Sequence, residues 1–160
     1  RHKLSTSSLD ELADGRFHLL IEDSEIDVKK TRRVVFCSGK VYYDLYEARR
    51  VHDIDDVAIV RVEQLYPFPI PEFASVIEQY AHVKEIVWCQ EEPQNQGAWY
   101  QIRHRLQEPL SVKQELFYAG REGAAAPASG VYKVHMQQQQ DLVEAALDIA
   151  VKASKTAKPR

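Results

Sequence analysis

Three short segments of this chain bring together side chains whose types suit chemistry. The first, Ser38-Gly39-Lys40, follows an apolar run and precedes a helix-patterned stretch. In an open α/β sheet, such a turn is where backbone amides and a helix N-terminus can meet an anion. It is not a Walker phosphate loop. That motif needs a Gly five residues before the Gly-Lys pair and a Ser or Thr after it, and Val34 and Val41 stand there. The turn reads as a tight bend that needs glycine, as an anion or nucleotide contact, or as part of an interface. The second segment is Arg61-Val62-Glu63-Gln64-Leu65-Tyr66-Pro67-Phe68-Pro69, a charged strand end that runs into an aromatic, Pro-rich elbow. Arg61 and Glu63 are expected either to pair beneath a rigid elbow or to meet a partner domain or small ligand. The third runs from Trp88-Cys89-Gln90-Glu91-Glu92-Pro93 to Asn95-Gln96-Gly97-Ala98-Trp99. Glu91 and Glu92 have the type for acid/base work, but neighbours in an extended segment point to opposite sides, which argues against a dyad. Asn95, Gln96 and Gly97 predict a capped helix start, and both Trp side chains are expected to be buried against another domain.

Other reactive types are dispersed. The six histidines (His2, His18, His52, His82, His104 and His135) form no HxxxH or HExxH pair, and Cys37 and Cys89 belong to no CxxC pair. Their spacing supports neither a metal site nor a redox motif, and the cysteines read as buried free thiols. The chain has no Gly-x-Ser-x-Gly elbow and no Gly-x-Gly-x-x-Gly fingerprint. No self-contained catalytic set emerges from the residues.

The elements that position these segments follow from apolar patterning. Residues 33–37, 57–62 and 85–89 are near-continuous β-branched and aromatic runs, the pattern of strands covered on both faces. Residues 17–21 and 116–119 are further strand candidates. Between them lie helix-patterned stretches at 41–52, with Leu45, Ala48 and Val51 as its apolar stripe, and at 71–81, with Pro71 as its first residue. Two more span 98–107 and 137–153, the last with Leu142, Ala146, Ile149 and Ala150 facing inward. Ser7 and Ser8 cap a short helix that Gly15 ends, and 120–130 is a loop of small residues. Strand and helix alternating at this spacing predict βαβ units and a mainly parallel sheet between helices.

Composition bounds the function. The 160 residues fit one domain, expected at 1–150, followed by a flexible basic tail at 151–160. A net charge of −3 gives no global reason to bind nucleic acid or an anionic membrane, and no stretch reaches the length of a membrane span. The chain opens on Arg1 rather than Met, so it is expected to be a piece of a longer or processed protein whose compartment is intracellular.

The strand-end segments, with Cys37-Ser38-Gly39-Lys40-Val41-Tyr42-Tyr43-Asp44-Leu45, closely resemble the carboxyl-terminal domain of 2-oxoglutarate dehydrogenase, the decarboxylating first component of that multienzyme complex. Tyr118-Ala119-Gly120-Arg121, Ala126-Pro127-Ala128-Ser129-Gly130 and His135 continue the match in order, and Arg1-His2-Lys3 with Ser7-Ser8 resembles the stretch entering that domain. The resemblance reaches to about Leu147. It implies a three-layer α/β/α sandwich of the transketolase carboxyl-terminal type, with a mixed five-stranded sheet in the order 1-3-2-4-5 and an antiparallel first strand. The turn at Ser38, Gly39 and Lys40 and the loop at Gln90, Glu91 and Glu92 would then share one strand-end edge with Arg61 and Glu63.

The resemblance also implies thiamine diphosphate and magnesium in the parent enzyme, bound outside this segment. Asp14-Gly15-Arg16 lacks the leading Gly of the metal-binding Gly-Asp-Gly…Asn signature, so no catalytic, cofactor-binding or metal residue is transferred here. Implied partners are the preceding domains, a homodimer partner and the lipoyl-bearing succinyltransferase component. Some relatives carry an allosteric site for AMP or acetyl-coenzyme A, whose matching positions here include Arg16, Leu19 and Gln64. Pro71 and Glu72 stand where some relatives have basic residues, which weakens the acetyl-coenzyme A assignment. Arg16 reads either as a phosphate clamp or as a solvated loop charge. Two alternatives stay open: a free-standing nucleotide-binding module, and the same domain of a 2-oxoadipate enzyme. The implied compartment is bacterial cytoplasm or mitochondrial matrix.

Overall fold

The computed structural model of the protein describes Ser5, Thr6 and residues 8–149. The tail at 151–160, Ala150, Ser7 and the opening Arg1-His2-Lys3 lie outside the described residues. Five strands, β1 (Leu20–Ile21), β2 (Arg33–Cys37), β3 (Val57–Val62), β4 (Glu85–Cys89) and β5 (Glu115–Ala119), form one sheet in the order β1-β3-β2-β4-β5. β1 runs antiparallel to β3, and the other pairs are parallel. The register sets Cys37 beside both Arg61 and Cys89, and Cys89 beside Ala119, so the strand ends finish level.

Side-chain alternation along each strand divides the core in two. Val34, Phe36, Val60, Ile86 and Trp88 face α3 (Ile70–Gln79) and α4 (Trp99–Gln107). Val35, Cys37, Ile59, Val87 and Cys89 face α2 (Val41–Val51) and α5 (Tyr132–Leu147). The expected three-layer sandwich is therefore present. Phe73, Val76, Ile77 and Tyr80, at helical spacing, are buried. A short helix, α1 (Leu9–Asp14), is held by a capping box between Ser8 and Glu11 and buries no residue.

Several boundaries differ from the sequence expectation. The first strand shortens from 17–21 to Leu20–Ile21, because it pairs only with β3; Phe17 remains 68% exposed. In α2, Val51 is 76% exposed, and the buried positions are Val41, Leu45 and Arg49. Arg49 turns inward because a buried carboxylate, Asp23, waits there. Helix α3 begins at Ile70, which leaves Pro71 in its first turn but not as its first residue. Helix α5 starts at Tyr132 rather than 137 and ends at Leu147 rather than 153, where Asp148 takes a left-handed conformation (φ 56°). Its buried residues are Leu142, Val143, Ala146 and Leu147, while Ile149 lies half-buried beyond the end.

Candidate functional site at the strand-end edge

The parallel strands deliver their following loops to one edge of the sheet. After β2, Gly39 adopts φ 75°, a conformation that favours glycine, so the turn reading of Ser38-Gly39-Lys40 holds. Lys40 Nζ lies 3.2 Å from Asp44 Oδ2 and 2.8 Å from Glu91 Oε1. Burial alone would lower the ammonium pKa, but hydrogen bonds and charges from Glu91 and Asp44 outweigh it and hold Lys40 above the usual lysine value.

At the end of β3, Arg61 Nε donates to Glu63 Oε1 at 3.0 Å, which gives the expected ion pair. The guanidinium also lies over the Tyr42 ring, 4.7 Å from its centroid, and 5.7 Å from that of Tyr43. Arg61 therefore locks the strand end to α2. The elbow after it carries a cis Tyr66–Pro67 peptide.

Gln90, at the end of β4, is only 2% exposed and is fully engaged. Its Oε1 accepts from Trp88 Nε1 at 2.9 Å and from the Trp99 main-chain N–H at 3.0 Å. Its Nε2 donates to the carbonyls of Glu92 (3.2 Å) and Pro93 (3.3 Å). Gln90 thus satisfies the exposed end of α4 from nine residues away. This replaces the expected local cap: Asn95 and Gln96 instead donate to the Ala124 carbonyl, at 3.0 and 2.6 Å. Sequence reasoning missed this role because the Gln90–Trp99 spacing matches no local capping pattern.

Glu91 and Glu92 diverge. The Glu91 carboxylate takes Lys40 and Gln139 Nε2 (3.1 Å), whereas exposed Glu92 offers its main-chain carbonyl to Gln90. Trp88 is 1% exposed inside this chain's own core, which corrects its expected burial against another domain. Trp99 is half-buried against Tyr118, with ring centroids 5.1 Å apart. Sequence reasoning also missed Arg121, 8% exposed after β5, and Gln139 on α5. Gln139 accepts from Arg121 and donates to both Asp44 (2.8 Å) and Glu91, which makes it the hub of the edge. The signals for Arg121 were its place just after a strand and its position in the Tyr118-Ala119-Gly120-Arg121 stretch that carries the family resemblance. Cys37 and Cys89 are fully buried, and burial pushes both thiols well up, so neither is a poised nucleophile.

Arg16, Leu19 and Gln64 lie elsewhere, beside β1. Arg16 and Leu19 line a cavity of about 720 Å³ with Glu22, Pro71 and Glu72. Gln64 adjoins it through its main-chain N–H, which donates to the Leu19 carbonyl at 3.2 Å, while its side chain donates to Pro67 O at 2.7 Å.

The family model described as 2-oxoglutarate dehydrogenase C-terminal matches residues 6–147. The 2-oxoglutarate dehydrogenase E1 component of Haemophilus influenzae is 53% identical over 148 residues, covering 92% of this chain and 16% of the relative. That of Azotobacter vinelandii is 51% identical over 153 residues, covering 93% and 16%. The oxoglutarate dehydrogenase of Buchnera aphidicola is 40% identical over 151 residues, covering 94% and 16%. The chain spans about a sixth of the length of these curated relatives.

Proposed function

Because this chain belongs to the 2-oxoglutarate dehydrogenase C-terminal family, we propose that it serves as the carboxyl-terminal domain of a decarboxylating 2-oxoglutarate dehydrogenase component. The parent activity in this reading is oxidative decarboxylation of 2-oxoglutarate with succinyl transfer to a lipoyl arm. The observation that carries the reading is the 6–147 match, which spans all five strands and the whole strand-end edge. The domain's own work is support: its packed sheet holds the parent chain and its homodimer together, and the lipoyl-bearing succinyltransferase component is the parent's partner. The parent works in bacterial cytoplasm or mitochondrial matrix; among the described residues, no helix is long and apolar enough to cross a membrane.

Thiamine diphosphate supplies the electron sink in such chemistry. The residues present do not fit it or its magnesium. The chain has no Gly-Asp-Gly…Asn run, and among the described residues no three His, Cys, Asp or Glu side chains are grouped to hold a metal. The cofactor is therefore assigned to preceding domains. The test is the parent enzyme with and without this domain. The intact enzyme turns over 2-oxoglutarate in preference to 2-oxoadipate, and deletion removes dimerisation and turnover together. A deletion variant that stays dimeric and active defeats the proposal, as does turnover by the 160-residue chain alone.

A regulatory nucleotide site is the finer part of the proposal, supported by the cavity that Arg16 and Leu19 line beside Gln64. Its walls also carry Glu22, Pro71 and Glu72, which suits a monophosphate such as AMP better than the more highly charged acetyl-coenzyme A. Calorimetric titration of the 160-residue chain with AMP gives saturable heat that Arg16→Ala and Gln64→Ala abolish. Absence of heat at millimolar AMP removes the site and the free-standing nucleotide-binding alternative with it.

A further inference from the structure

Arg121 is a buried cation that the supporting role leaves unused. Its NH1 donates to the Glu91 carbonyl oxygen, and its NH2 donates to Gln139 Oε1 at 2.7 Å and lies 3.5 Å from His135 Nδ1. These acceptors are a carbonyl, an amide and a ring nitrogen, none of them a carboxylate. Among the described residues Arg121 forms no ion pair, and its buried Nε–H has no acceptor at all. Buried arginines are ordinarily paired with an anion, because a guanidinium removed from water keeps its full charge. This one has lost most of its water without gaining a counter-charge.

The same side chain lines a cavity of about 650 Å³ between the 120–130 loop and α5. That volume is in the range of small-molecule sites. The loop wall is built from Gly123, Ala124, Ala126 and Ala128, whose short side chains leave the space open. Glu122 and Asp141 also line it. Two carboxylates at the wall disfavour a polyanion, while the buried guanidinium favours one negative group.

We propose that this cavity binds a small monocarboxylate, whose anionic oxygen takes the free Nε–H and supplies the missing counter-charge of Arg121. The Nε–H is buried behind the cavity wall, so binding requires the guanidinium to turn toward the ligand and the glycine- and alanine-rich loop to adjust. The carboxylate class is preferred to phosphate because it brings a single charge past the Glu122 and Asp141 carboxylates.

The experiment is nuclear magnetic resonance on the isotope-labelled 160-residue chain, titrated at constant ionic strength and pH 7 with acetate, inorganic phosphate or chloride. Acetate shifts the Arg121 Nε–H and the Gly123 amide along a saturable curve, with half-saturation on the order of 1–10 mM. Phosphate binds at least about tenfold more weakly, and chloride gives no saturable shift. Arg121→Lys loses the effect. Because that variant disturbs the Glu91 and Gln139 contacts, Ala128→Phe serves as a second test: it fills the cavity from an exposed loop position and abolishes acetate binding with the rest of the spectrum unchanged. Linear, non-saturating shifts, equal binding of phosphate, or undiminished acetate binding in Ala128→Phe would each overturn the assignment.

Discussion

Lys40 Nζ lies 2.8 Å from Glu91 Oε1, a contact that ties the turn after β2 to the loop after β4. The two residues are far apart in sequence, and only the β2–β4 pairing brings them to one edge. Gln139 reaches the same carboxylate from α5, so one oxygen anchors three elements. The edge is consequently held by a charged network, while the helix ends around it rely on neutral partners such as Gln90.

That network has uneven strength. The Lys40 side chain is 63% exposed, so water competes for it. Lys40→Met is expected to cost no more than about 1 kcal/mol, read as a small drop in the urea midpoint at unchanged slope. A much larger loss would show the pair to be more shielded from solvent than its exposure indicates.

The Arg49–Asp23 pair is the opposite case. Its side chains are 3% and 5% exposed, and Asp23 also accepts the Ile59 main-chain N–H at 2.8 Å. Asp23→Ala takes the acceptor from the Ile59 amide and leaves the buried Arg49 guanidinium only the half-exposed Glu25 carboxylate (3.0 Å) and the Val57 carbonyl (3.3 Å), at an expected cost of about 3 kcal/mol in urea unfolding. Asp56→Ala, which removes the half-exposed Arg32 contact, serves as the comparison and is expected to cost about 1 kcal/mol or less. Equal losses in the two variants would contradict the burial argument.

These pairs show what the sequence made legible. β2 and β4 could be delimited to the residue, because strands covered on both faces read as unbroken apolar runs. The Arg61–Glu63 pair was legible because residues two apart along a strand share a face. The first turns of α5 were not, since Tyr132, Val134 and Met136 are exposed and give no buried stripe to detect. Arg49–Asp23 and Gln90–Trp99 were illegible for another reason. Their partners stand 26 and nine residues apart, so no local period links them and only the closed sheet brings them together. Lys40–Glu91 was intermediate: the family strand order placed both loops at one edge, and the side chains then met.

Gly97 tests the Gln90 hydrogen bonds without changing Gln90 itself. A Cβ at that position would stand 2.1 Å from Gln90 Nε2, so the amide must move and release Trp88 or the start of α4. Gly97→Ala is expected to destabilise by about 1–3 kcal/mol, the range for forced overpacking, and to alter the near-ultraviolet circular dichroism of Trp88. Gly130→Ala meets nothing within 4 Å and is expected to leave both readouts unchanged. A silent Gly97→Ala would mean that Gln90 has slack that the structure does not show.

Alkaline pH should unfold this domain from the inside. Burial raises the Cys37 and Cys89 thiols far above their ordinary value of 9.0, and it raises the Tyr80 and Tyr118 hydroxyls from 10.0 to about 12. Below pH 9 these groups are protonated in both the folded and the unfolded chain. Above it, the unfolded chain releases protons that the folded chain still holds, so the unfolded state binds fewer protons and stability falls with rising pH. The thiols open the decline near pH 9, and the tyrosines steepen it between pH 10 and 12. Thermal midpoints measured from pH 7 to 11 are expected to be flat at first and then drop. Cys37→Ala with Cys89→Ala lowers the plateau but delays the drop toward pH 10, because the groups that then titrate, the tyrosines and Lys40, have ordinary values of 10.0 and above. If the double variant keeps the same onset, the thiols are not its source.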